Sequence, residues 1–144
     1  MTIAPPAAQR PALRSLPGEF ALLRWPADAA LPQEAMSAPM CFVSRTDEEL
    51  SLLCPAALAQ SLAATAQQHH PGWRGIGVVG PLDFSIIGLL AELARILAQA
   101  QVSLFAVSTF DTDYLFVRSD DLATAESALI ASGYHFPGSP QSTR

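Results

Sequence analysis

Short apolar runs rich in Leu, Val and Phe recur along this chain, separated by stretches whose apolar residues return every third or fourth position. The first pattern marks a strand, the second a helix packed by one face. Residues 19–25 (EFALLRW) predict a strand apolar enough to be covered on both sides. Residues 26–39 hold three prolines and predict a connection, with one helical turn at 32–36. Residues 40–44 and 50–54 predict the two arms of a hairpin around the polar RTDEE at 45–49. Pro55 suits a first helical position, and Leu58, Leu62 and Ala66 continue a helix expected to fray over 67–71.

A strand over 73–79 follows, closed by Gly80-Pro81, and then a helix over 84–100. The polar or empty positions of that helix, Ser85, Gly88, Glu92, Arg95 and Gln99, form one narrow stripe. So broad an apolar face is expected to touch a second body besides its own sheet. Gly88 inside a helix costs about 1 kcal/mol relative to Ala, which is easiest to understand if a ligand or partner strand approaches the backbone. Strands over 102–108 and 114–118 flank a turn at 109–113. A helix capped by Ser119 or Asp120 and ended by Gly133 comes next, then a short strand at 134–136.

From residue 73 the order is strand, helix, strand, strand, helix, strand. With both helices on one face of an antiparallel sheet, this is the ferredoxin-like arrangement. Residues 18–72 repeat the order in eroded form, and the strand at 73–79 is shared territory between the halves. The expected fold class is therefore α+β, a tandem of ferredoxin-like (βαββαβ) domains with antiparallel sheets and helices on one face. The expected boundaries are a flexible tail at 1–17, a degenerate first domain at 18–72, a second domain at 73–136 and a flexible tail at 137–144. Domains this small are marginal alone, so a homodimer is expected.

Composition narrows the function. Half of the residues are hydrophobic and only 15% are charged, which excludes wholesale disorder. A net charge of −5 and a pI near 4.9 argue against a nucleic-acid partner, which needs clustered cations. No apolar run approaches the roughly 20 residues of a membrane helix, and residues 1–17 lack the apolar core of a secretory signal. Cys41 and Cys54 have no CxxC spacing and read as small buried hydrophobes in a reducing cytosol, so a cytoplasmic location is expected.

Catalytic chemistry finds little support. The histidines, His69, His70 and His135, fall in expected loop or terminal segments, and no nucleophile is spaced with a base and an orienting group. His69-His70 before Pro71-Gly72 reads as a solvated turn rather than a metal site. Gly75, Gly77 and Gly80 match neither GxGxxG nor GxxxxGK[ST]. No enzyme activity, cofactor or metal is expected.

Two segments suggest a binding site instead. Asp83 is a natural N-cap, and the amides beginning the following helix favour an anion such as a carboxylate. Asp111 suits a turn residue, whereas Asp113 opens an apolar strand, where a carboxylate wants a cation such as a ligand's ammonium group. Here the residues carry a resemblance. GPLDFSIIGLLA from Gly80 to Ala91 and STFDTDYLFV from Ser108 to Val117 look like the signature of ACT-domain proteins related to the eukaryotic cytosolic arginine sensors of the CASTOR type. TDEELSLLCP from Thr46 to Pro55 resembles the matching segment of the preceding ACT half, and the likeness covers roughly 19–134.

The resemblance implies a non-catalytic amino-acid sensor of tandem ACT domains, with the effector between ACT units. Asp83, Phe84, Ile86, Ile87, Gly88 and Leu89 would line the helix side. Thr109, Phe110 and Asp113 would line the turn side, and Ser51 and Leu52 would offer backbone from the neighbouring unit. The arginine sensors place an acid where this chain has Ile86, so the implied ligand is an amino acid smaller or more apolar than arginine. The alternative is an ACT-fold module for protein interaction or oligomerisation, without a small-molecule ligand.

Overall fold

The structure is a computed structural model that describes residues 10–82 and 87–138. In chain order its elements are β1 (Leu13–Ser15), β2 (Phe20–Trp25), α1 (Gln33–Ser37), β3 (Phe42–Arg45), β4 (Leu50–Pro55) and α2 (Ala56–Leu62). Then come β5 (Gln68–Val78), α3 (Leu89–Gln99), β6 (Leu104–Ser108), β7 (Asp113–Arg118) and α4 (Leu122–Ala131). The chain divides into two compact units: a continuous one, residues 18–73, and a split one made of 1–17 and 74–144. β5 contributes residues 68–73 to the first and 74–78 to the second.

In the continuous unit the strands lie in the order β3-β4-β2-β5, with every pairing antiparallel. Period-two alternation puts Ala21, Leu23 and Trp25 of β2 and Leu50, Leu52 and Cys54 of β4 on one face. They pack there with Ala35, Ala59 and Leu62 of α1 and α2. The Trp25 indole N–H donates to Thr65 Oγ1 at 3.2 Å, which fixes the turn after α2. This is the expected βαββαβ order, with the first helix eroded to five residues.

The split unit has the order β1-β5-β7-β6. Leu13, Ile76, Val78, Leu115 and Val117 face one side of that sheet. Leu89, Leu93, Ile96 and Leu97 of α3 cover them, with Ala125 and Leu129 of α4. Each unit thus places its first strand between its third and fourth, as the ferredoxin-like fold requires. In the continuous unit the fourth place is filled by the start of β5. In the split unit it is filled by β1, from the other end of the sequence.

That placement corrects the expectation of a flexible tail over residues 10–17; residues 1–9 lie outside the described residues. β1 pairs with β5 antiparallel, Leu13 against Val78. Leu13 and Leu16 are 0% and 1% exposed. Leu13 N–H donates to the His135 carbonyl at 2.9 Å, Leu16 N–H to Gly75 at 2.8 Å and Val79 N–H to Ala12 at 2.9 Å. A strand this short carries no readable alternation, and the flanking Pro11 and Pro17 suggest a tail. The expected last strand at 134–136 is no strand: it lies beside β1 as irregular chain, anchored by buried Tyr134 and Phe136. Residues 139–144 of the expected second tail lie outside the described residues.

Residues 68–71 of the segment expected to fray at 67–71 are also strand. Gln68, His69 and His70 pair with Arg24, Leu23 and Leu22, and the register shifts between Leu22 and Phe20. Pro71 sits at that irregularity, where a missing N–H is tolerated. Nor does Ser119 or Asp120 cap the last helix. A 3-10 turn at Ser119–Asp121 leads into α4, whose N-cap, Asp121, makes no side-chain bond.

The two hairpins are copies. Phe42↔Leu53, Val43↔Leu52, Ser44↔Ser51 and Arg45↔Leu50 reappear 63 positions later as Phe105↔Phe116, Ala106↔Leu115, Val107↔Tyr114 and Ser108↔Asp113. The turns match as well: Thr46 N–H donates to the Glu49 carbonyl at 2.9 Å, and Thr109 N–H to Thr112 at 2.8 Å.

Glu92, one of the polar positions of the long helix, is buried at 4% exposure. Its carboxylate accepts Tyr134 O–H at 2.6 Å and Arg10 Nη2 at 3.3 Å, with Arg95 Nη2 at 3.9 Å. Arg10 also lies 5.5 Å from the centre of the Tyr134 ring. The cluster fastens the start of the split unit, α3 and the chain after α4 to one another.

Leu13→Ala is expected to lower the unfolding free energy by about 2–5 kcal/mol in a denaturant titration, whereas a residue in a frayed tail would leave it unchanged. Burial first, then the Glu92 hydrogen bond and charge, raise the Tyr134 hydroxyl above its ordinary value. The neutral phenol is therefore favoured by folding. Its contribution is complete below the unfolded value of roughly 10 and is lost as pH climbs past it. Melting temperatures followed into alkali should fall less steeply in Tyr134→Phe than in the parent.

Candidate functional site

The chain leaving β5 is tied to the β6–β7 turn. Leu82 N–H donates to the Asp111 carbonyl at 2.8 Å, and Thr112 Oγ1 donates to the Val78 carbonyl at 2.6 Å. Gly80 passes so close that a Cβ there would lie 3.0 Å from both Asp111 O and Thr112 Cβ. The turn is also braced internally, because Thr109 Oγ1 accepts Thr112 N–H at 3.3 Å. Asp113 Oδ1 accepts Ser108 Oγ–H across the turn at 2.6 Å.

The second wall is the start of α3. Gly88 is its N-cap, in the left-handed conformation at φ +81°, and its carbonyl accepts Glu92 N–H at 2.9 Å. The helix therefore begins at Leu89, not at 84, and Gly88 is no interior glycine. Its absent side chain meets the demand of a positive φ. This corrects both the expected helix bounds and the cost argument built on them. In α3 the amides without an intrahelical carbonyl consequently belong to Leu89, Leu90 and Ala91.

These walls enclose a cleft of about 410 Å³ lined by Leu82, Gly88, Leu89, Leu90, Ala91 and the turn residues Ser108 to Asp113. Among the expected site residues, Gly88, Leu89, Thr109, Phe110 and Asp113 come together here. Ile87 adjoins Gly88 and is 79% exposed. Asp83, Phe84 and Ile86 lie outside the described residues. Ser51 and Leu52 are on β4 of the continuous unit. Leu52 is wholly buried in that unit's core, while Ser51 lines a cleft of about 160 Å³ with Arg24, Glu49 and His70. Leu82, Leu90, Ala91, Ser108, Asp111 and Thr112 were not anticipated as lining. The Thr109/Thr112 pair was the available signal for the last of them, since a Thr able to accept an amide across its own turn fixes which backbone faces inward.

The cleft combines a positive end, the α3 amides and helix dipole, with a carboxylate and apolar Leu side chains. Among the described residues no group of three or more His, Cys, Asp or Glu is placed to hold a metal ion, and no helix is long and apolar enough to cross a membrane.

Comparison with known proteins bears on the fold. Residues 68–131 match the family model of the ACT domain. Protein Atu0741 of Agobacterium tumefaciens is 31% identical, with a TM-score of 0.75 over 88% of this chain and 92% of that one. A Vibrio cholerae protein, VC0802, described as a possible transport protein, superposes with a TM-score of 0.67 at 22% identity, covering 87% of this chain and 91% of that one. The regulatory subunit of aspartate kinase from Thermus thermophilus, in its ligand-free form, shares the fold at 10% identity and a TM-score of 0.55, over 83% and 93% of the two chains. No curated protein matches significantly. Residues 68–131 are thus an ACT domain, and the fold is the ferredoxin-like ACT fold.

Gly88→Ala separates the two readings of that glycine by sign. At a left-handed N-cap it is expected to destabilise by about 1–2 kcal/mol, whereas in a helix interior Ala would stabilise by about 1 kcal/mol. Chemical denaturation reads the difference.

Proposed function

We propose that this chain is a non-catalytic regulatory module that binds one small or apolar α-amino acid in the cleft of its split unit. The supporting observation is the pairing of opposite polarities within one small cavity. The first-turn amides of Leu89, Leu90 and Ala91 would receive the carboxylate, Asp113 the ammonium group, and Leu82, Leu89 and Leu90 the side chain. Ser108 occupies one carboxylate oxygen of Asp113 and orients the other. The likeness to regulatory parts of aspartate kinases supports the regulatory side of this reading.

The finer kinship with the CASTOR-type arginine sensors belongs to the proposal. So does the choice of a ligand other than arginine, which follows from Ile86. Asp83, Phe84, Ile86, Ile87, Ser51 and Leu52 enter as site residues through that resemblance alone. A homodimer and a cytoplasmic location complete the reading. A second reading, a protein-interaction module, is favoured by Phe110 and Ile87, which are 85% and 79% exposed near the cleft.

A melting scan of the protein against the twenty amino acids distinguishes them. A ligand at a hundred times its Kd adds about 2.7 kcal/mol, a rise of several degrees. Asp113→Asn should abolish the rise while leaving the unliganded melting temperature nearly unchanged. A scan in which no amino acid shifts the transition contradicts the sensor reading. A shift retained in Asp113→Asn contradicts the role given to that carboxylate.

A further inference from the structure

The β3–β4 hairpin sets the chain's two cysteines against each other. Its register ends at Phe42↔Leu53, and one step outward places Cys41 opposite Cys54. In the copied hairpin the same step is a formed pair, Leu104↔Val117. The type of pair follows from the turn. Thr46 N–H bonds the Glu49 carbonyl, so those two face each other as a hydrogen-bonded pair. Alternation continued one step past Phe42↔Leu53 would make Cys41–Cys54 a non-hydrogen-bonded pair, whose Cα atoms in a regular ladder lie about 4.5 Å apart. Disulfides span Cα separations of about 4.4–6.8 Å.

The two side chains also share a face. Cys54 is buried in the core of the continuous unit, and Cys41, partly exposed, packs against that same core. Both are free thiols. Burial raises the Cys41 thiol above its ordinary value. Burial, and then the nearness of Cys41, push that of Cys54 up to about 12. Such thiols are slow nucleophiles, and the exposed one is the point of entry.

We propose that Cys41 and Cys54 are a modification site that closes to an intramolecular disulfide on meeting a low-molecular-weight disulfide such as oxidised glutathione. Cys41 loses its proton to solvent, and its sulfur displaces one glutathione thiolate, giving a mixed disulfide. Cys54 loses its proton in turn, attacks the Cys41 sulfur and releases the second glutathione thiolate. Both thiolates take up protons. The two cysteines lose two electrons together, and one oxidised glutathione becomes two reduced ones. The bond ties β3, the outer strand of the continuous unit, to β4, and so secures an edge whose open main chain invites misassociation.

The test is to incubate the full chain with oxidised glutathione, quench in acid, denature and weigh it intact. The expected product is about 2 Da lighter than the reduced chain, has no maleimide-reactive thiol, runs as a monomer on a non-reducing gel and reverts with dithiothreitol. Cys41→Ser should give no such product while keeping the circular dichroism spectrum of the parent. A lasting single-glutathione adduct with the other thiol still reactive, a disulfide-linked dimer, or two intact thiols after prolonged alkaline exposure would each overturn the proposal.

Discussion

Three amides at the start of α3 have no carbonyl of their own helix to bond, and a carboxylate on the next hairpin shares their cleft. Everything proposed for this protein's function depends on that opposition. A helix N-terminus alone attracts any anion, and an acid alone attracts any cation. Together in one small cavity they would favour a zwitterion, because either charge without its counterpart would leave one polar group of the cleft unsatisfied. The geometry is held by main chain rather than by long side chains. Gly88 sets where the helix begins, and the Leu82–Asp111 and Thr112–Val78 bonds hold the turn against the end of β5. Such a frame loses little entropy on binding.

The split unit also shows how a fold can be completed from a distance. A βαββαβ sheet needs a fourth strand beside its first, and among the described residues the chain after α4 does not provide it. β1 does, and its hold is reinforced by Arg10, which reaches the same buried Glu92 that Tyr134 donates to. The charge of Glu92 is tolerated inside because it is paired and hydrogen-bonded, and removing one partner would leave it exposed to the low-dielectric interior. Residues 10–16, which read from sequence as part of a tail, are therefore structural.

Much of the fold was legible because strong period-two runs read without ambiguity. β2, both hairpins and the Gly133 stop of α4 emerge from local pattern alone. What escaped reading has a common physical origin, namely that its structure is fixed by partners remote in sequence. β1 is three residues long and is a strand only because β5 lies beside it. His69 and His70 look like a turn beside Pro71-Gly72, yet the ladder to β2 outweighs that local preference. Glu92 reads from sequence only as one position of a polar stripe, because Arg10 and Tyr134 lie 82 and 42 residues away. For the site, the meeting of the two segments was foreseeable from their residue types. The displaced helix start was not, because a glycine in a run of Ile and Leu reads equally well as helix interior or as cap.

The central claim, that this cleft holds an amino-acid zwitterion, is tested most directly by a crystal structure of the protein soaked in a mixture of the twenty amino acids. The account predicts density for one amino acid in the cleft, its carboxylate on the amides of Leu89 to Ala91 and its ammonium group against Asp113. Density for an amino acid seated elsewhere, or bound here with its two charged ends reversed, would contradict it.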